Sequence, residues 1–432
     1  MTHSEKRTVR PASRLQGEIH IPGDKSISHR AIMFASLAEG KSRVLGLLRG
    51  EDCLATLEAF QQLGITVEEK FNDELIIHGR GIRGLCEPDD VINCGNSGTT
   101  MRLMSGILAA QPFFSVLTGD QYLRKRPMKR IVEPLATMGA KILGRASGTK
   151  APLAINGGGL NPVEYRSPIA SAQVKSALIL AGMQIAGTTT VYEPHLSRDH
   201  SERMLRSFGA DLESFKGGVR ISGPVDLQGQ EVAVPGDISS AAFFIVAGLI
   251  VPGSELVIKN VGVNPSRSGI IDILRLMGGS IELMNQRETS GEPVADILVK
   301  SSDLSGVEIS GDLIPRAIDE FPVISIAAAF AQGVTTITEA AELRVKETDR
   351  IAAMCDTLTT LGVCIEPLTD GMRIEGKETL SGGKVNSFGD HRIAMSLAVA
   401  GLRASSDVSI TDTACTETSF PGFWDLLTQI RQ

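Results

Sequence analysis

The sequence has few aromatic residues: one Trp, three Tyr and fourteen Phe in 432 positions, 4% in all. Proteins that stack nucleic-acid bases need more rings than that, and a basic face to hold the backbone. Here the formal net charge is −7, which excludes a long polyanion as partner. Long apolar runs are also missing. The longest, Ala241 to Val251, is about eleven residues, short of the roughly 18 that span a bilayer. No apolar stretch follows the charges of MTHSEKRTVR, which argues against a signal peptide. The six cysteines (Cys53, Cys86, Cys94, Cys355, Cys364 and Cys415) lack CxxC spacing and close histidine partners, so buried, reduced thiols are expected. Nucleotide and metal motifs are wanting too. GDKS lacks the first glycine of a P-loop, Lys25 follows Asp24, and neither GxGxxG nor HExxH occurs. These absences predict a soluble, cytoplasmic protein that binds neither nucleic acid nor membrane.

What is present is a repeat. Six segments share a strand, a Gly/Pro/Asp/Ser turn and a small-residue-rich apolar helix. They are PGDKSISHRAIMFASLA from Pro22, GNSGTTMRLMSGILA from Gly95, SPIASAQVKSALILAG from Ser167, PGDISSAAFFIVAGL from Pro235, IPRAIDEFPVISIAAA from Ile314 and FGDHRIAMSLAVAGL from Phe388. They recur about every seventy residues. A β-branched strand and a second helix follow each, the second helix ending in Leu, Met or Phe before a C-capping glycine, as in LATMG and LRLMG. The unit reads β–α–β–α–β–β, an α/β protein whose last copy is truncated. Six units in a chain too long for one core predict two domains of three. The expected division is 1–22 plus 236–432 against 23–235, with the first strand pairing into the second domain and making it discontinuous.

Helix starts are where anions bind, because free N–H groups and a partial positive charge meet there. Three starts add cations or hydroxyls: Lys25, Ser26, Ser28 and Arg30; Asn96, Ser97, Thr99 and Arg102; Ser171 and Gln173. Plain capping would explain any one of them; several together favour small anions. His29 and His391 lie in such starts as well. From Arg316 to Arg392, RAIDEF, RVKETDR and FGDHR mix both charge signs. Lys346, Glu347, Asp349 and Arg350 are expected to open a helix, with Lys346 and Arg350 on one face. A solvated, salt-bridged face or a group of acids and bases beside substrate-holding cations would both fit.

PGDKSISHRA, GNSGTTMRL, RPM, PIASAQVKSA, PGDISSAAF, IDEFP, VKETDR, FGDHR and TSFP, in this order over essentially the whole chain, resemble the 5-enolpyruvylshikimate-3-phosphate synthase family. The resemblance implies an inverse α/β barrel architecture, two domains of three βαβαββ units with the active site in the interdomain cleft. It implies transfer of the enolpyruvyl group of phosphoenolpyruvate to the 5-hydroxyl of shikimate 3-phosphate, with no metal or organic cofactor, by a monomer that is a glyphosate target. Lys25, Ser26, Arg30, Ser171, Ala172, Gln173, Arg198, Asp319 and Lys346 would bind shikimate 3-phosphate. Lys25, Gly98, Arg126, Gln173, Arg350 and Arg392 would hold phosphoenolpyruvate, where arginine forks suit carboxylate and phosphate. Asp319 would take the hydroxyl proton, and Glu347 or Lys25 would protonate the methylene carbon. Ala172 and TSFP resemble the class II branch. Three rivals keep part of this pattern. The sister UDP-N-acetylglucosamine enolpyruvyl transferase would need a loop cysteine, and GDQYLRKRPMK has none. RNA 3′-phosphate cyclase is disfavoured by acidity and scarce rings. A non-catalytic anion-binding repeat protein would not need Asp319, Glu347 and Lys25 together.

Overall fold

A computed structural model of the chain describes residues 5–70 and 74–431. Its inner helices follow from composition. Every residue of Ile238–Ile250 is buried, and so is everything from Ile27 onward in Lys25–Leu37. A helix with no polar face can only lie inside. The outer helices have one apolar side: Gly269–Leu276 buries Ile270, Ile271, Ile273 and Leu274 while its Asp272 and Arg275 face outward. Small residues let the inner helices approach closely. At Gly106 a Cβ would stand 2.2 Å from the carbonyl oxygen of Ala177 on the neighbouring helix, so only glycine fits.

The sheets repeat as the helices do. Among the described residues there are five four-stranded sheets and one three-stranded sheet. In the third repeat, strand Glu164–Arg166 runs parallel to Gly187–Tyr192, which pairs antiparallel with Gly218–Gly223, itself antiparallel to Leu212–Phe215. The second and fifth repeats pair in the same way. Two leading strands are exchanged. Gln16–His20, which leads into Lys25–Leu37, pairs with Glu255–Gly262. Glu231–Ala233, which leads into Ile238–Ile250, pairs with Glu39–Leu45. The truncated sixth repeat is supplemented from the other end of the chain: Lys6–Val9 lies antiparallel to Val408–Thr411.

The chain divides into two compact units. The inserted unit is Gly23–Val234 with Glu288–Glu292; the discontinuous unit holds the described residues up to Pro22, Pro235–Arg287 and those from Pro293 on. Each has its own apolar core. The scarce rings serve these cores: Phe34 meets Phe208 edge to face in the inserted unit, and Phe243, Phe244, Phe420 and Phe423 cluster in the discontinuous one. Each such ring, fully buried, contributes about 1.5–3 kcal/mol. The cysteines depart from expectation in part. Cys53, Cys94 and Cys355 are buried, Cys415 is half-buried, and Cys86 and Cys364 are exposed; all six are free thiols. No helix among the described residues is long and apolar enough to cross a membrane.

Candidate active site

Cap side chains close five of the six inner helix starts. Asp24 accepts from Ile27 N, Ser97 from Thr100 N, Ser171 from Val174 N, Asp237 from Ser239 N and Asp390 from Arg392 N. The fifth helix, Phe321–Ala329, begins after Glu320 without such a bond. Its carboxylate turns to Ser239 Oγ and to Arg267, 3.5 Å away.

In the inserted unit the helix starts carry cations. Lys25 is the first residue of its helix, and its Nζ donates to Asp52 Oδ2 at 2.8 Å. Burial works to raise the Asp52 carboxyl, but Lys25, with Arg126 behind it, holds it below the ordinary aspartate range. Arg126 donates to Asn96 Oδ1 at 2.7 Å, and Asn96 to Asp120 Oδ2 at 2.8 Å. Gln173 gathers two guanidiniums on one oxygen, Arg102 at 2.8 Å and Arg130 at 3.3 Å, while its amide donates to Thr99 Oγ1. Gly98 stands beside them. A Cβ there would lie 2.8 Å from Arg102 Nη1 and 3.4 Å from Arg126 Nη1.

A second group surrounds Arg30, which is 4% exposed. It donates to Ser201 Oγ at 2.7 Å, to Ser176 Oγ at 3.1 Å and to the carbonyl of Ser26 at 2.9 Å. Burial pulls its guanidinium down to about 10, against the pull of Glu202 and Asp24; Arg198 is near enough to add to the lowering. Arg30 therefore stays charged at neutral pH. Ser171 and Ala172, cap and first residue of the third inner helix, precede Gln173.

In the discontinuous unit the cations converge on carboxylates. Asp319 has three within 4 Å: Lys346 at 3.4 Å, Arg350 at 3.7 Å and Arg267 at 3.8 Å. Arg350, 1% exposed, also meets Asp390 and Glu347, each at 2.9 Å. Its burial disfavours the charge, but Asp390 and Glu347 outweigh that and raise the guanidinium further; Arg350 in turn holds Asp390 low against its own burial. Arg392 Nη1 donates to the backbone carbonyl of Asp319 at 3.1 Å. One expectation is corrected here. Lys346 and Glu347 do not open a helix: a 3₁₀ turn spans Ala341–Val345, and the following helix begins only at Arg350. Asp349 caps that helix, its Oδ1 accepting from Ala352 N. Lys346 and Arg350 meet through Asp319, not along a helix face.

The structure adds Asp52, Arg130, Arg267, Ser201 and Asp390 as partners of these residues. Arg130 ends the basic cluster RKRPMKR and Asp390 lies inside FGDHR, so a signal existed for both. Arg267 in PSRSG and Ser201 carry none, because only the fold brings them to their partners. His29 is fully buried against Thr56, with its imidazole driven down to about 3 by burial, so it is neutral and part of the interior. Among the described residues no group of His, Cys, Asp and Glu is arranged to hold a metal ion.

Residues 9–427 match the protein family described as EPSP synthase (3-phosphoshikimate 1-carboxyvinyltransferase). The chain is 65% identical to a 3-phosphoshikimate 1-carboxyvinyltransferase of Syntrophotalea carbinolica over 429 residues, 99% of this chain and 100% of that one. The corresponding protein of Citrifermentans bemidjiense is 62% identical over 425 residues, covering 98% and 99%. Among solved structures, the EPSP synthase of Acinetobacter baumannii superposes with a TM-score of 0.91 at 46% identity, over 99% of this chain and 98% of that one. Likeness of that length and closeness, on a chain whose repeat and charged helix starts already suit small anionic ligands, means that it belongs to the EPSP synthase family.

Proposed function

We propose roles for individual residues in the reaction of this family. The chain transfers the enolpyruvyl group of phosphoenolpyruvate to the 5-hydroxyl of shikimate 3-phosphate, giving 5-enolpyruvylshikimate 3-phosphate and phosphate, a step of the shikimate pathway toward the aromatic amino acids. The observation that carries the assignment is Asp319, one carboxylate with Lys346, Arg350 and Arg267 within 4 Å. A base so placed takes the 5-hydroxyl proton as the oxygen attacks the central carbon of phosphoenolpyruvate, while Glu347 or Lys25 protonates the methylene carbon. The tetrahedral intermediate then loses phosphate from the central carbon and a proton from the methyl carbon, which restores the double bond.

Lys25, Ser26, Arg30, Ser171, Ala172, Gln173, Arg198, Asp319 and Lys346 bind shikimate 3-phosphate. Lys25, Gly98, Arg126, Gln173, Arg350 and Arg392 bind phosphoenolpyruvate, the arginines matching its carboxylate and phosphate. The two compact units act as the two domains of a monomer, each closing its own core without a second copy. Free cysteines suit a reducing compartment, the cytoplasm. The test is phosphate release from phosphoenolpyruvate with shikimate 3-phosphate by folded protein. Release that needs both substrates is expected; none above background would overturn the reading, and sedimentation as a dimer would overturn the monomer.

A further inference from the structure

Three helices of the inserted unit are joined by a chain of buried side chains that the residue roles above do not use. His29 Nδ1 lies 2.7 Å from Thr56 Oγ1. Thr56 Oγ1 lies 2.6 Å from Thr100 Oγ1, and Thr100 Oγ1 donates to Ser97 Oγ at 2.7 Å. All four residues are 0% exposed. Ser97 caps the helix that opens with Gly98, accepting from Thr100 N at 3.0 Å. One helical turn before His29 and Thr56 stand Lys25 and Asp52, themselves 2.8 Å apart. The helices Lys25–Leu37 and Glu51–Gln62 are thus tied by two parallel rungs, and the inner rung continues to the helix start at Gly98.

The direction of the chain follows from counting protons. Thr100 has one hydroxyl proton and donates it to Ser97, so Thr56 must be the donor to Thr100. Thr56 has then used its own proton, and the contact with His29 is made by a proton on Nδ1. The carbonyl of Asp52, at 3.4 Å from Thr56 and 3.5 Å from Thr100, is too far to compete. The other ring nitrogen agrees: Nε2 is buried with no hydrogen-bond partner among the described residues, a place that suits a lone pair better than an N–H. Burial also drives the ring down to about 3, so no second proton is present at neutral pH.

We propose that His29, neutral and protonated on Nδ1, is a positioning residue that sets Lys25 and the helix start at Gly98 for phosphoenolpyruvate. This rests on the assignment of Gly98 to that substrate alone and of Lys25 to both substrates, so that the larger effect falls on phosphoenolpyruvate. The variant Thr56→Val keeps the shape of the side chain and cuts the chain in its middle; Thr56→Ser restores the hydroxyl. In steady-state assays of the full-length enzyme, T56V is expected to raise KM for phosphoenolpyruvate about tenfold and KM for shikimate 3-phosphate at most about threefold, with T56S close to the parent. An unchanged KM for phosphoenolpyruvate in folded T56V, an equal rise for both substrates, or a T56S variant as impaired as T56V would overturn the proposal. Nitrogen-15 NMR of the parent enzyme is independent of activity and of the variant's folding. A His29 proton on Nδ1 is expected, and a proton on Nε2 would overturn the proposal even if turnover is normal. A parent enzyme without turnover would instead refute the substrate assignment.

Discussion

Arg126 in the inserted unit donates to the amide of Asn96 at 2.7 Å, whereas Arg350 in the discontinuous unit meets two carboxylates, Asp390 and Glu347, each at 2.9 Å. The contrast extends to neighbouring groups. Arg102 and Arg130 share the oxygen of Gln173, and Arg30 donates to two serines. Across the discontinuous unit, Asp237, Asp319, Glu320 and Asp390 are interleaved with Arg267, Lys346, Arg350 and Arg392. An amide or hydroxyl holds a guanidinium in place without cancelling its charge, while a carboxylate cancels it. The first arrangement is suited to receiving an anion. The second holds the buried Asp390 carboxyl low against its own burial and sets Asp319 among cations.

If that division is right, the most damaging single change lies in the discontinuous unit. Asp319→Ala is expected to lower turnover by about two to four orders of magnitude in initial-rate phosphate release, with the fold retained. Near-normal turnover would remove Asp319 from the proton transfer. Asp390→Ala tests the same cluster through stability. It leaves Arg350, 1% exposed, with Glu347 and the more distant Asp319 as partners. Stripping a buried cation of a partner at 2.9 Å should destabilise by about 3 kcal/mol, read as a lower urea midpoint. In the inserted unit the corresponding probe is steric. Gly98→Ala brings a methyl group to 2.8 Å from Arg102 Nη1, so that guanidinium must move. KM for phosphoenolpyruvate should rise about tenfold while stability changes little. A large fall in stability with unchanged KM would mean that Gly98 serves packing rather than the ligand.

The repeat was legible because each copy spells the same punctuation, a turn, an all-apolar helix and a glycine-capped outer helix, and burial in Ile238–Ile250 follows from that pattern alone. Caps were legible for the same local reason. The network around Asp319 was legible in composition but not in geometry. RVKETDR reads as one amphipathic helix start, yet the helix begins at Arg350, because Asp349 is the side chain that can cap it and Lys346 is drawn to Asp319 instead. Arg267 could not be found from the sequence: its charge matters through Asp319 and Glu320, which belong to the next repeat, and through Asp237 at the start of its own. Partners that distant in the chain are chosen by packing, which no local pattern encodes.

The smallest expected effect bears most directly on the comparison, because Lys25–Asp52 sets a cation against a carboxylate at a helix start of the inserted unit, as the more buried Lys175 does with Glu193 and Glu202 away from it. The pair is partly open, with Lys25 23% and Asp52 13% exposed, so its worth is closer to that of a surface bridge than to that of Arg350–Asp390. Asp52 is held below its unfolded value by Lys25. A carboxyl of that kind stabilises the fold above its unfolded pKa, about 3.9, and the contribution is lost as pH falls through the lower folded value. Asp52→Asn should therefore cost about 1 kcal/mol at neutral pH, and the gap to the parent should shrink as both are acidified below about pH 4. Urea unfolding at several pH values measures it. A gap that stays constant with pH would show that Asp52 contributes by shape and hydrogen bonding. A gap as large as that of Asp390→Ala would dissolve the distinction between the units, since the inserted unit would then rely on charge cancellation as heavily as its neighbour.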